Sequence, residues 1–399
     1  MHIKLKKRQL LRSKIVILSL ASIFLCFSNS DDKRLKTVNI FKAPKTTLGI
    51  TEIADEITYL HISNDIPIEY IEKVIYYDNN FYLQCDRSKL FRVDLSGHMF
   101  NQIGRKGNGP GEYHYVSDFA IHPKTGNIYI SGSTEYQLLL FSGNGKFLKT
   151  IDLSHKHASS VGISGENLFL FYFDANEHVP ENIELIDSTG RVFMSYPNKY
   201  KYERGRGSVS FIGECAQYTF DGKLHFKEIF SDTIFSIDGQ NILPQIILDS
   251  GDKSFTSEVR TKIIEEVNLD PFNPSESMIN HVVQNDLFET DNFLFYDYGY
   301  NRQERLLIYN KSTGKSIQID AKEGITNDWD GGPNLLLKKN LDDNTVFSWI
   351  HAYELKEYVA SDAFRNSTPK FPEKKKELEH FANSLDVNDN PVLMMVKLR

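Results

Sequence analysis

The feature that most limits how this chain can fold is a pair of interleaved repeats. Six short aromatic and β-branched runs recur along it, at residues 81–85, 128–131, 168–171, 224–227, 293–296 and 346–349. Their starts lie 47, 40, 56, 69 and 53 residues apart. Each follows a turn signal: Asn79-Asn80, Gly126-Asn127, Glu166-Asn167, Asp221-Gly222-Lys223, Asp291-Asn292 and Asp342-Asp343-Asn344. Asn and Gly tolerate the positive φ that tight hairpins need, so each signal is expected to close a hairpin. A second series runs in phase with the first, at 90–97, 139–145, 183–190, 234–239 and 306–314, each an apolar run followed by a Gly-bearing turn. These read as the third and fourth strands of five units. Segments 72–77 and 118–121 read as innermost strands. A β-sandwich also strings out short strands, at intervals of about 8–12 residues. It gives no reason for two different signals to recur in register. A period of about 40–50 residues carrying four strands belongs to a β-propeller. The expected fold is all-β: a six-bladed β-propeller with four-stranded antiparallel blades and two short helical insertions.

The sixth unit begins near Leu335 and lacks a Gly-turn partner. Its third strand is assigned to the C-terminal run 391–397, and an N-terminal strand at 57–62 is expected to complete it and close the ring. Closure removes the free sheet edges that invite aggregation. The helical insertions fall at 254–268, with Val259, Ile263 and Val267 on one face, and at 370–385, with Leu378, Phe381 and Leu385. Both read as a brace or lid on the ring. The resulting division is 1–30 as a signal peptide, 31–50 as an N-terminal linker and 51–399 as the propeller.

The first thirty residues carry Lys4, Lys6, Lys7, Arg8, Arg12 and Lys14 and no acid. They are followed by 15–27 (IVILSLASIFLCF), too short to span a membrane, where about 20 apolar residues are needed. A basic segment before a short apolar one reads as a secretory signal. Two processing routes stay open: cleavage after Ser28-x-Ser30, or lipidation of Cys26. Leu25 departs from the small residue that lipidation favours before the cysteine. The rest of the chain holds 40 basic against 53 acidic residues, or −13, which argues against a nucleic-acid partner. The 3 cysteines exclude a disulfide scaffold.

The stretch Ile103-Gly-Arg-Lys-Gly-Asn-Gly-Pro-Gly-Glu-Tyr113 resembles the Gly-rich blade linker of NHL-like propellers. With Ser231-Asp-Thr-Ile-Phe-Ser-Ile237 and the ending Asp389-Asn-Pro-Val-Leu-Met-Met-Val-Lys397, it resembles the six-bladed β-propeller lipoproteins of Bacteroides-type bacteria, over about residues 35–399. The resemblance implies a secreted or surface-anchored propeller, often encoded near glycan-uptake systems. It implies no catalytic residue.

A phosphate loop at 104–111 would need a helix after it and a Lys-Ser/Thr pair. The following 113–119 reads as a strand approach, so a structural linker is expected, with Arg105 and Lys106 projecting from it. No HExxH and no Gly-x-Ser-x-Gly occurs. Cys85 and Cys215 read as core thiols. Asp328, Asp330, Asp342 and Asp343 are the nearest approach to a calcium loop.

In a propeller, the loops from an outer strand to the next inner strand, and from second to third strands, share one face. On that face the expected ligand-binding residues are Arg87, Arg105, His114, Tyr136, Tyr202, Arg204, Arg206, Arg302, Trp329 and Asp330. Arg, Tyr and Trp dominate binding hot spots and stack on planar or sugar surfaces. The plainer role for any one of them is to brace a long loop. The expected function is an exported binding or scaffolding module of the bacterial cell envelope. Its partner would be a glycan, a peptide or an envelope protein, it would use no cofactor, and it would touch a membrane only through an N-terminal anchor. The alternative is a metal-dependent lactonase-like hydrolase or lyase at the channel mouth, which would hold a divalent cation.

Overall fold

Strands form here because β-branched and aromatic residues alternate over five to eight positions and then meet turns that only a few residues tolerate. The second strand of the first repeat shows the logic. Asn80–Cys85 is buried along its whole length. Phe81, Leu83 and Cys85 enter one hydrophobic cluster, while Tyr82 enters another on the opposite side. Successive side chains of a strand point to opposite faces, so such a strand needs a packed layer on each side. The turns match. Asp78-Asn79, Asp86-Arg87 and Asn301-Arg302 each hold two consecutive positive φ values, between 48° and 60°. Asn301-Arg302 is a two-residue connection, with Tyr300 paired to Gln303. The turns between third and fourth strands repeat a side-chain device. The Asp94 carboxylate accepts from Ser96 N and His98 N, and the Asp187 carboxylate accepts from Thr189 N and Arg191 N.

The computed structural model describes residues 35–132, 136–154, 156–172, 180–202 and 209–399. Cys26, the signal segment, Arg204 and Arg206 lie outside them. Among the described residues the strands form five antiparallel sheets of four, one sheet of five and a two-stranded parallel ribbon. In chain order, the first strands of the six larger sheets are Ile71–Tyr77, Val116–Ile121, Ala158–Ser164, Cys215–Phe220, Val283–Glu289 and Lys339–Asn340. All six runs of the first series are second strands, and all five of the second series supply third strands.

The core lies between the sheets. Separate hydrophobic clusters join the first sheet to the second, the second to the third and the third to the fourth. A larger cluster joins the fourth, fifth and sixth. The last places Phe347 and Leu393 of the sixth sheet against Phe81, Phe91 and Val93 of the first. Fully buried phenylalanines, including Phe91, Phe119, Phe169, Phe226 and Phe295, fill these layers. Each such side chain contributes about 1.5–3 kcal/mol on burial.

The sixth sheet is assembled from both ends of the described chain. Val392–Leu398 lies between Thr345–Ile350 and Ala54–His61, in a register that sets Ile57 opposite Val396. Its inner strand is shorter than the start near Leu335 suggests, because Ile325 and Leu335 instead bridge each other within the preceding loop. The segment read as a linker also carries structure. Lys36–Asn39 adds the fifth strand to the fourth sheet, and Ile40, Leu48 and Ile50 are buried. Two inserted helices fall where the apolar spacing puts them, at Ser257–Leu269 and Pro372–Ser384. Ala352–Ala360 and Asp362–Asn366 are additional. All four belong to loops at the end of the sheets opposite the first-to-second-strand turns.

Candidate ligand cavity

Near the start of its inner strand, each sheet contributes one polar residue: Lys73, Asp118, Ser160, Gln217, Asp286 and Lys339. A bulge or register shift falls beside this position in four of the sheets, at Ile71/Lys73, Ser131/Gly132, Ala158/Ser160 and Gln284/Asp286. Bulges re-aim a side chain out of the regular alternation. The result is a polar layer. Lys73 Nζ donates to Asp118 Oδ1 at 2.6 Å and to the Phe119 carbonyl at 2.9 Å. Asp118 Oδ2 accepts from Ser160 Oγ at 2.9 Å, Val161 N at 2.8 Å and Gln217 Nε2 at 3.1 Å. The other side repeats the arrangement: Lys339 Nζ donates to Asp286 Oδ1 and, at 3.1 Å, to the Leu287 carbonyl. Each lysine is thus matched by one carboxylate, which the partial burial of these groups requires.

Beyond this layer the inner strands enclose a cavity of about 350 Å³. Its wall is drawn from the first, second, third, fourth and sixth sheets, including Val74, Ile75, Phe119, Ile121, Val161, Ile163, Tyr218 and Leu224. Residues of the first and sixth sheets line the same space, so the sheets surround a common axis. The cavity reaches the first-to-second-strand turns at Tyr77, Pro123, Gly222, Asp342 and Asp343. Burial, and then the nearby Asp291, Asp342 and Asp221 carboxylates, push the Asp343 carboxyl above its usual range.

The opposite, helix-bearing end holds the residues expected to bind. Tyr202 is buried, with the Arg260 guanidinium 4.5 Å from its ring. Arg260 is fully buried, and its guanidinium donates to both Glu214 carboxylate oxygens, at 2.7 and 2.8 Å. Trp329 is also buried, its ring 4.4 Å from Phe371. Asp330, only 2 % exposed, accepts from Asn327 Nδ2 at 2.7 Å, Gly332 N at 2.9 Å and Tyr59 OH at 3.0 Å. Tyr202, Trp329 and Asp330 therefore do not face solvent as expected. Insertion helices need anchors, and large planar or charged side chains supply them. Arg105 is exposed but bound to Glu112 Oε1 at 2.6 Å, in the ribbon that pairs Arg105–Lys106 with Glu112–Tyr113. No helix follows this linker, and Val116–Ile121 is a strand. Arg87 and Arg302 are exposed at equivalent turns, Tyr136 is exposed, and His114 is partly buried. The structure does not gather these residues into one pocket.

Cys85 and Cys215 are free thiols, and burial pushes both above the usual thiol range. Asp328 accepts from Thr51 N at 2.9 Å and Thr51 Oγ1 at 2.5 Å. Among the described residues no group of three or more His, Cys, Asp or Glu side chains is placed to hold a metal ion. The cavity residues escaped notice in the sequence because a lone polar residue before an apolar run looks like a strand boundary.

Sheets packed around an axial cavity define a β-propeller. The chain belongs to the family described as "Domain of unknown function (DUF4934)", which matches residues 35–397. No match is found among curated proteins. Among solved structures, the chain is similar to a protein of Bacteroides fragilis described as exported. The identity is 18%, with coverage of 91% of this chain and 99% of that one and a TM-score of 0.69. It is also similar to a DUF4221-family member from Bacteroides vulgatus, at 11% identity, 87% and 97% coverage and a TM-score of 0.51. These likenesses concern the fold.

Proposed function

We propose that this protein is a six-bladed, NHL-like β-propeller exported to the bacterial cell envelope, where it acts as a binding module for a small ligand held in the axial cavity. The observation that carries the reading is the cavity itself. It is lined by inner strands, backed at one end by a charge-matched polar layer, and open toward the first-to-second-strand turns. Its volume of about 350 Å³ lies at the lower end of ordinary ligand sites, roughly 300–1,000 Å³. The six interlocked sheets support the blade count. The basic-then-apolar N-terminus supports export, and the similarity to a protein described as exported is consistent with it. Cys26 supplies the anchor in this reading; acyl-lipid labelling that survives Cys26→Ala would remove it.

The test is a thermal-shift screen of the mature protein against oligosaccharides and small metabolites, repeated on Thr219→Trp. Thr219 is exposed and lines the cavity, so a bulky side chain there fills the space without entering the core. A ligand that binds the folded state raises Tm. Loss of that shift in Thr219→Trp is expected. Its full retention would transfer the site to Arg87, Arg105, Tyr136 and Arg302.

A further inference from the structure

The turns at the mouth of the cavity share one sign of charge. The six first-to-second-strand connections carry Asp78, Glu166, Asp221, Asp291, Asp342 and Asp343. Their basic side chains are His122 and Lys124, both paired with Glu166, and Lys223 at the edge of the fourth turn is paired with Asp238. Of these acids, Asp342 and Asp343 line the cavity directly. Asp291 N donates to the Asp343 carbonyl at 2.7 Å, which ties the fifth and sixth turns together. At the other end of the cavity the charges cancel, because Lys73 is matched by Asp118 and Lys339 by Asp286. An anionic ligand would therefore meet excess carboxylates on entry and no unmatched lysine of the polar layer at depth.

The wall adds a second, independent observation. Tyr76 and Tyr77 line the cavity immediately before the Asp78 turn, and both are partly exposed. Their hydroxyls are occupied, Tyr76 OH donating to Asn79 Oδ1 at 3.1 Å and Tyr77 OH to the Pro123 carbonyl at 3.1 Å, and the Tyr76 ring also packs 5.3 Å from Phe81. Partly exposed tyrosine rings next to carboxylates, at the entrance to an apolar space, suit an organic cation: the charge rests against the rings and acids while the body is buried. Resting on the cavity reading above, we infer that the ligand is a small organic ammonium compound with an apolar body, entering from the turn end with its charged group left at the mouth.

Three probes with a common body separate the possibilities: phenethylamine, phenethyl alcohol and hydrocinnamate, titrated calorimetrically into the mature protein. The amine is expected to bind about tenfold tighter than the alcohol, the scale of one ion-pair or cation–π contact. The carboxylate is expected to bind weakest. The amine's advantage should shrink in Asp342→Asn/Asp343→Asn, which keeps the turn's hydrogen-bonding atoms, and in high salt. Equal binding of all three, abolished by Thr219→Trp, would overturn the charge inference and leave the cavity reading standing. Binding of the amine that Thr219→Trp does not alter would overturn both. No binding of any probe would overturn the inference for this class.

Discussion

At the helix-bearing end, Arg260 is sealed between Glu214 and the rings of Tyr202, Phe211 and Phe230, and Trp329 lies on Phe371. At the turn end, the connections are short, acidic and wrapped around an open cavity. The end with the long loops uses its largest aromatic and basic anchors, Tyr202, Arg260 and Trp329, internally. The end built from the first-to-second-strand hairpin turns leaves a space. Long loops must bury something to be ordered, because fixing each backbone residue costs about 1–2 kcal/mol. Short turns are already fixed by φ and local hydrogen bonds, so their neighbours need not be filled.

The largest effect that would break this contrast concerns the anchors. Arg260→Ala should destabilise the protein by about 3–5 kcal/mol, because it strands a buried Glu214. Trp329→Ala should cost a comparable amount through the void it leaves. Denaturant midpoints near wild type for both would mean that this end is a solvated recognition surface after all.

The dryness of the interior toward the helix-bearing end gives the second test. Burial lowers Lys227 to about 7 and raises Glu228 to about 7. For Glu228 the folded state binds the extra proton between the ordinary carboxyl value of 4.5 and about 7, so its contribution to stability is lost as pH rises through that window. For Lys227 the unfolded state binds the extra proton between about 7 and 10.5, so stability rises with pH there. Both contributions are weakest near neutrality. Tm measured against pH should lose its alkaline rise in Lys227→Met and its acidic fall in Glu228→Gln.

A smaller effect is expected at the polar layer between the two ends. Asp118→Ala removes the acceptor shared by Lys73, Ser160 and Gln217. A loss of about 1–3 kcal/mol in urea unfolding is the scale for orphaned donors. No measurable loss would show that the layer is replaceable by water. The smallest effect belongs to Arg302, exposed at φ 60°. Arg302→Gly should change stability by less than about 1 kcal/mol, in the stabilising direction, since only glycine adopts that φ without steric cost. A clear destabilisation would give that side chain a structural role at this end.

The strands and their grouping were legible because they rest on local chemistry: turn residues that tolerate positive φ, and runs whose alternation is visible over six positions. The N-terminal strand, expected at 57–62 and found at Ala54–His61, was legible for the same reason. The cavity was not, because its polar layer joins Lys73, Asp118, Ser160 and Gln217 across three sheet boundaries, and single polar residues at strand starts carry no local signature. The burial of Tyr202 and Trp329, expected to face solvent, escaped the sequence for a different reason. Tyr202 and Trp329 have a composition suited either to recognition or to bracing, and only the packing of Ser257–Leu269 and Pro372–Ser384 decides between them.

The seam in the sixth sheet has a consequence for how the protein is made. Arg399 holds Asp55 across 344 residues of sequence, and Val392–Leu398 is hydrogen-bonded on both sides. While the chain is being synthesised, Ala54–His61 has no neighbour to zip against until Val392–Leu398 emerges, so the sixth sheet is completed only after the other five have been made. A product cut short before Val392 would leave two apolar strand borders bare, a lesion that proteases and chaperones can detect.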